Sequence, residues 1–166
     1  VLSANLSIEE LRNVKNLVSK LDANTSGYSP NTYDENFADD YLKKADRTAN
    51  RAAFKELEIN ETKEHFEEKL NAATLVIIVE NNFFDNNEKL LENKKVISLF
   101  SHLNETIKYS NIAIPVASFY EKSGTYINTN GIKQKVISKM NKNNPMQTIT
   151  TIIEHLKSMI EKGTLW

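Results

Sequence analysis

Apolar residues recur at three- and four-residue steps at Leu11, Val14, Val18 and Leu21, and Leu17 widens that face, which predicts a helix over Ser7 to Leu21. Its start is written as Ser7-Ile8-Glu9-Glu10. In this capping box the Ser7 hydroxyl accepts from the Glu10 N–H while the Glu10 carboxylate reaches back to the Ser7 N–H. Val1-Leu2 ahead of it reads as the end of a strand. From Asp22 to Asn36, Gly27, Pro30 and many Asn, Ser and Thr predict loop. From Asp39 to Leu57 a thin apolar face within charged residues predicts two short helical pieces flanking Arg47-Thr48-Ala49-Asn50-Arg51.

The pattern then changes period. Glu61 to Leu70 predicts a short polar helix, and Ala73 to Val79 is a continuous run rich in β-branched residues, the mark of a strand covered on both faces. A helix over Asp85 to Leu91, a buried strand over Val96 to Phe100 and a short strand over Asn111 to Ile114 stopped by Pro115 follow. Connections too long for hairpins imply parallel pairing with crossovers. Thr125-Tyr126-Ile127 and Ile132 to Ile137, flanked by Gly124 and Asn130-Gly131, predict an irregular extended loop or a hairpin. The last helix is expected over Asn144 to Lys162, with Asn144 as cap, Pro145 as first helical residue, Gln147 closing the box and Gly163 ending it. Trp166 lies beyond that stop. The predicted class is α/β: a Rossmann-like layered fold, residues 1–166 as one domain, with a mostly parallel sheet of few strands flanked by helices.

Composition narrows the function. The 166 residues carry 21 basic and 22 acidic side chains, so no basic field is available for nucleic acid. No apolar run approaches the roughly 20 residues of a membrane span. With no Cys there is no disulfide, thiolate zinc site, cysteine nucleophile or Cys-ligated iron–sulfur cluster within these residues. Val1-Leu2-Ser3 is neither a signal peptide nor an initiator, so the chain is expected to be a fragment of a longer subunit, with an apolar edge or face of its sheet left open. Asn is abundant and Lys greatly outnumbers Arg, a bias that makes any single Asn weak evidence of a role.

Candidate chemistry is sparse. Four glycines, Gly27, Gly124, Gly131 and Gly163, cannot compose a dinucleotide fingerprint or a P-loop. His65 with Glu64 and Glu68 offers an imidazole and carboxylates on one helix, yet Glu61, Glu67 and Lys69 mark that helix as a solvated surface. His102 near Glu105, and His155 beside Glu154, have no second His at ligand spacing. No Ser lies in a nucleophile-elbow frame. Around Arg47, the acids Asp39, Asp40 and Asp46 neutralise the cations, so charge alone builds no anion site. No catalytic residue and no metal ligand is expected.

One stretch carries more. Ser110 to Gln134 resembles a segment of the molybdopterin-oxidoreductase superfamily whose pattern runs A-D-hydrophobic-hydrophobic-L-P-x-A-x-x-x-E-K-x-G-T-[FY]-x-N-x-E-G-R-x-Q. Pro115, Ala117, Glu121, Lys122, Gly124, Thr125, Tyr126, Asn128, Gly131 and Gln134 match it in register. The opening SANLSIEE resembles the family's helix start, and Lys44 to Arg51 resembles an A-D-K-T-x-N-R segment of one branch, the large iron–sulfur subunit (G chain) of bacterial NADH:quinone oxidoreductase, respiratory complex I. Where cofactor-bearing relatives commonly have Glu and Arg in E-G-R, this chain has Asn130 and Ile132, and Ile132 has no donor to pair with an anion.

The resemblance therefore implies a non-catalytic structural segment serving electron transfer from NADH to quinone. It implies no cofactor within these residues and iron–sulfur clusters elsewhere in the subunit. The implied partners are the remainder of the same subunit and other complex I subunits, in a cytoplasmic complex peripheral to the inner membrane, without membrane insertion by this chain. The alternative is a molybdopterin-binding segment of a molybdoenzyme such as a formate dehydrogenase. In that case Glu121, Gly124, Thr125, Asn128, Gly131 and Gln134 are the positions that would face the cofactor.

Overall fold

The computed structural model describes residues 1–29, 32–82, 88–139 and 146–163. Helix α1 spans Ile8–Lys20, and both hydrogen bonds of its capping box are present: Glu10 N–H to Ser7 Oγ at 3.2 Å and Ser7 N–H to Glu10 Oε2 at 2.9 Å. Helices α2 (Ala52–Glu56) and α3 (Lys63–Ala72) lead into strand β1 (Leu75–Val79). Strands β2 (Lys95–Phe100) and β3 (Ile112–Pro115) complete a parallel sheet of order β1-β2-β3, with Ile77, Ile97 and Ile112 in register. Leu2 adds a parallel bridge to Val79 and another to Gly27, so the strand end expected at Val1-Leu2 joins the sheet beyond β1. The hairpin of β4 (Gly124–Ile127) and β5 (Lys133–Val136) is antiparallel, and helix α4 covers Ile149–Glu161.

Both faces of β1 and β2 are covered, as the unbroken apolar runs require. Val79 and Leu99 meet Leu11, Val14 and Leu17 of α1 and Ile149 and Ile153 of α4. On the other face Val76, Ile78, Val96 and Phe100 meet Phe66 and Leu70 of α3. Among the described residues β3 pairs on one side only, and Ile112, Ala113 and Pro115 are exposed, so the sheet is open at that edge strand.

Three expectations are corrected. Residues 39–51 are not helical, because carboxylates there take the backbone donors a helix would need: Asp39 Oδ1 accepts from the N–H groups of Tyr41, Leu42 and Lys43, and Asp46 Oδ1 from that of Thr48. Only Ala52–Glu56 forms a helix in that stretch. Helix α4 begins later than expected, with Thr148 accepting from the Thr151 N–H as its cap. The cap and first residue expected at Asn144 and Pro145, and Trp166, lie outside the described residues. Glu88–Leu91 is a single 3₁₀ turn, and the rest of the helix expected from Asp85 lies outside the described residues.

Candidate functional site

The motif stretch folds back onto the N-terminus of α1. Glu121 closes a 3₁₀ turn by accepting from the Ser118 N–H at 2.8 Å and hydroxyl at 2.7 Å. The next residue, Lys122, carries its ammonium into the protein, 2.8 Å from Glu10 Oε1 and 3.0 Å from Oε2, with both side chains about nine-tenths or more buried. Gly124 lies so close to the cap that a Cβ there would stand 2.5 Å from Ser7 Cβ and 2.9 Å from Ser7 Oγ. No other residue fits that approach without displacing the cap.

Thr125 then hydrogen-bonds Glu9 twice, N–H to Oε2 at 2.8 Å and hydroxyl to Oε1 at 2.6 Å. Partial burial by itself would raise the Glu9 carboxyl, but these two bonds hold it below its ordinary value. Tyr126 is buried against Phe119, with ring centroids 5.4 Å apart, and burial together with the charges of Glu10 and Glu9 pushes its phenol well up.

Beyond Tyr126 the hairpin is tied to a third segment. Asn50 is fully buried, its amide donating to the Leu6 carbonyl at 2.6 Å while its Oδ1 accepts from the Ile127 N–H at 2.6 Å. Asn128 shapes the loop: its Oδ1 accepts from the N–H groups of Asn130 and Ile132, and Gly131 takes a φ of 78°. Gly131 alone in that loop has positive φ, so residues 128–132 between the paired Ile127 and Lys133 form a five-residue connection whose fourth residue is a left-handed glycine. Gln134 stands opposite Tyr126 on β5, exposed and apart from the others.

The structure thus brings together Glu121, Gly124, Thr125, Asn128 and Gly131 around one hairpin, with Gln134 exposed on its second strand. Each of the first five has a task within the chain. As a cradle for an anionic pterin dinucleotide they do not fit: the Thr125 donors are committed to Glu9, the Cβ side of Gly124 is filled by Ser7, and Ile132 offers no side-chain donor.

The remaining candidates stand apart from this cluster. His65 Nε2 is 3.4 Å from the Thr25 carbonyl, and among the described residues no group of three His, Cys, Asp or Glu side chains is placed to hold a metal. His155 is exposed on α4. Arg51 is held by Glu61 at 2.5 Å and by Thr32 at 2.6 Å, with Asp46 at 3.3 Å, and Arg47 lies 5.3 Å from the Phe37 ring centre. Burial raises the Glu61 carboxyl even against the pull of Arg51.

The family model for molybdopterin oxidoreductases matches residues 9–147, from the first turn of α1 past the hairpin. The chain belongs to the molybdopterin oxidoreductase family. No curated protein matches it. In this molybdopterin oxidoreductase segment two residues escaped the reading of the sequence. Glu10 announced itself only as a cap, its second partner being 112 positions away, and Asn50 was submerged in the general excess of Asn.

Proposed function

We propose that this chain is a structural, non-catalytic segment of the G chain of NADH:quinone oxidoreductase, serving electron transfer from NADH to quinone by shaping its subunit. The observation that carries this reading is the internal commitment of the motif: Lys122, Gly124 and Thr125 hold the hairpin to the start of α1, while Glu121 closes the turn before it and Asn128 its connecting loop. Ile132, at a position that takes a guanidinium in cofactor-bearing relatives, supports it further. On this reading the chain holds no cofactor, iron–sulfur clusters belong to other parts of the subunit, and its partners are the remainder of that subunit and neighbouring subunits of a complex peripheral to the inner membrane on the cytoplasmic side. No helix among the described residues is long and apolar enough to cross a membrane.

Family membership itself favours a second reading, a molybdopterin-binding segment of a molybdoenzyme such as a formate dehydrogenase. One experiment separates them. The native protein containing this sequence is purified in mild detergent and assayed for NADH–quinone activity, molybdenum and released pterin. Activity with iron but neither molybdenum nor pterin is expected. Near-stoichiometric molybdenum with pterin, or absence from an NADH-oxidising complex, overturns the structural reading.

A further inference from the structure

Asn130 is the one Asn in the 166 residues that is followed by Gly. The side-chain carbonyl carbon of an Asn is open to attack by the main-chain nitrogen of the next residue, which is part of what makes Asn thermolabile. A Cβ on that next residue crowds the approach, and glycine has none.

The hairpin loop leaves this pair accessible. Asn130 and Gly131 are both exposed, and a Cβ built at Gly131 would meet nothing within 4 Å. Asn130 is held through its backbone N–H, which donates to Asn128 Oδ1 at 3.0 Å, and among the described residues no hydrogen bond holds its side-chain amide. One restraint opposes attack. The Gly131 N–H donates to the Asn128 carbonyl at 2.9 Å, while Asn128 Oδ1 also takes the Ile132 N–H at 2.9 Å. The attacking nitrogen must leave that carbonyl and lose its proton, so local opening of the clasp made by Asn128 sets how often attack occurs.

We propose that Asn130 is a site of spontaneous covalent modification, converted through a cyclic imide to aspartate and isoaspartate at a rate governed by the Asn128 clasp. Solvent hydroxide removes the Gly131 amide proton, the nitrogen bonds to the Asn130 side-chain carbonyl carbon, and the side-chain nitrogen leaves as ammonia. Water then adds to one of the two imide carbonyls and the ring opens. The net change is one water taken up and one ammonia released, with no oxidation or reduction. Opening at the former side-chain carbonyl gives aspartate. Opening at the main-chain carbonyl gives isoaspartate, which routes the backbone through Cβ and adds a carbon between the two N–H groups that share Asn128 Oδ1. Isoaspartate therefore releases the Ile132 N–H from Asn128, while β4 stays tied to Asn50 through Ile127.

The test is incubation of the folded chain in mildly alkaline buffer made with heavy-oxygen water, with the urea-unfolded chain alongside, followed by peptide mass mapping. Label is expected at residue 130 ahead of every other Asn, as both aspartate and isoaspartate, with loss of exchange protection at Ile132 in the isoaspartate fraction. Asn128→Ala should speed conversion of the folded chain about tenfold, the worth of one hydrogen bond, and leave the unfolded rate unchanged. Asn130→Gln, at an exposed position, should abolish label there without disturbing the fold. A folded chain without label at residue 130 after the unfolded chain has converted overturns the site. Equal folded-state rates in the parent and Asn128→Ala overturn its control by the clasp.

Discussion

Lys122 and Glu10 form a buried ion pair in which the carboxylate serves two masters. Glu10 Oε2 accepts from the Ser7 N–H that begins α1 and lies 3.0 Å from the ammonium that follows the 3₁₀ turn 119–121. Removing one partner of a buried pair strands the other charge, so Lys122→Met is expected to cost about 3–5 kcal/mol. Glu10→Gln in the Lys122→Met background should recover part of that loss, because no charge is then left unpaired. Denaturant unfolding of the two single variants and the double variant measures the coupling. A loss below about 1 kcal/mol for Lys122→Met would mean that water reaches the pair.

How the hairpin loop is held gives a second expectation. Gly131→Val places a β-branched side chain at a φ of 78° with open space around it, so backbone conformation and not crowding is the penalty, on the order of 1–3 kcal/mol. Asn128→Ala removes the acceptor for two N–H groups, whereas exposed Asn130→Ala removes nothing beyond its own side chain and should stay within about 0.5 kcal/mol. Thermal melts ranking Asn130→Ala with the other two would show that the loop does not hold the hairpin.

Acid sensitivity follows from Glu9. Its carboxyl is depressed in the folded chain, so the stability it lends is present above the ordinary carboxylate range and is lost as pH falls through the depressed value. Thr125→Val deletes the hydroxyl bond and keeps the N–H bond, so the Glu9 titration followed by carboxyl NMR should move upward. Glu61 works with the opposite sign: its carboxyl is raised, so protonation relieves the folded chain as pH falls through that raised value. An acid limb unchanged in Glu9→Gln would contradict the assignment.

Local chemistry made much of this fold readable. The Ser7-to-Glu10 spacing announces α1, the runs ending at Val79 and Phe100 announce two covered strands, and Gly124 and Gly131 bracket the first strand of the hairpin. The failures come from interactions that a periodicity cannot carry. Asp39 and Asp46 divert backbone donors from helix formation within four residues, and Thr148 captures the start of α4. The contacts that organise the site join residues 44 to 117 positions apart, so the motif reveals which residues matter but not that they face inward onto Ser7, Glu9, Glu10 and Asn50.

Asn50 gives the most discriminating test of that inward-facing arrangement. Its amide joins the Leu6 carbonyl to the Ile127 N–H, and its own backbone N–H donates to the Ala4 carbonyl at 2.9 Å, a bond that every side-chain variant retains. Asn50→Ala leaves two buried partners unmatched at about 1–3 kcal/mol each, so a total loss on the order of 3 kcal/mol is expected. Asn50→Asp keeps an acceptor for Ile127 but loses the donor to Leu6. The two variants therefore separate in hydrogen exchange: Ile127 should lose protection in Asn50→Ala and keep it in Asn50→Asp, although both are less stable than the parent chain. Equal protection at Ile127 in Asn50→Ala and the parent would show that the hairpin is held to the opening segment without Asn50, and that its burial is packing alone.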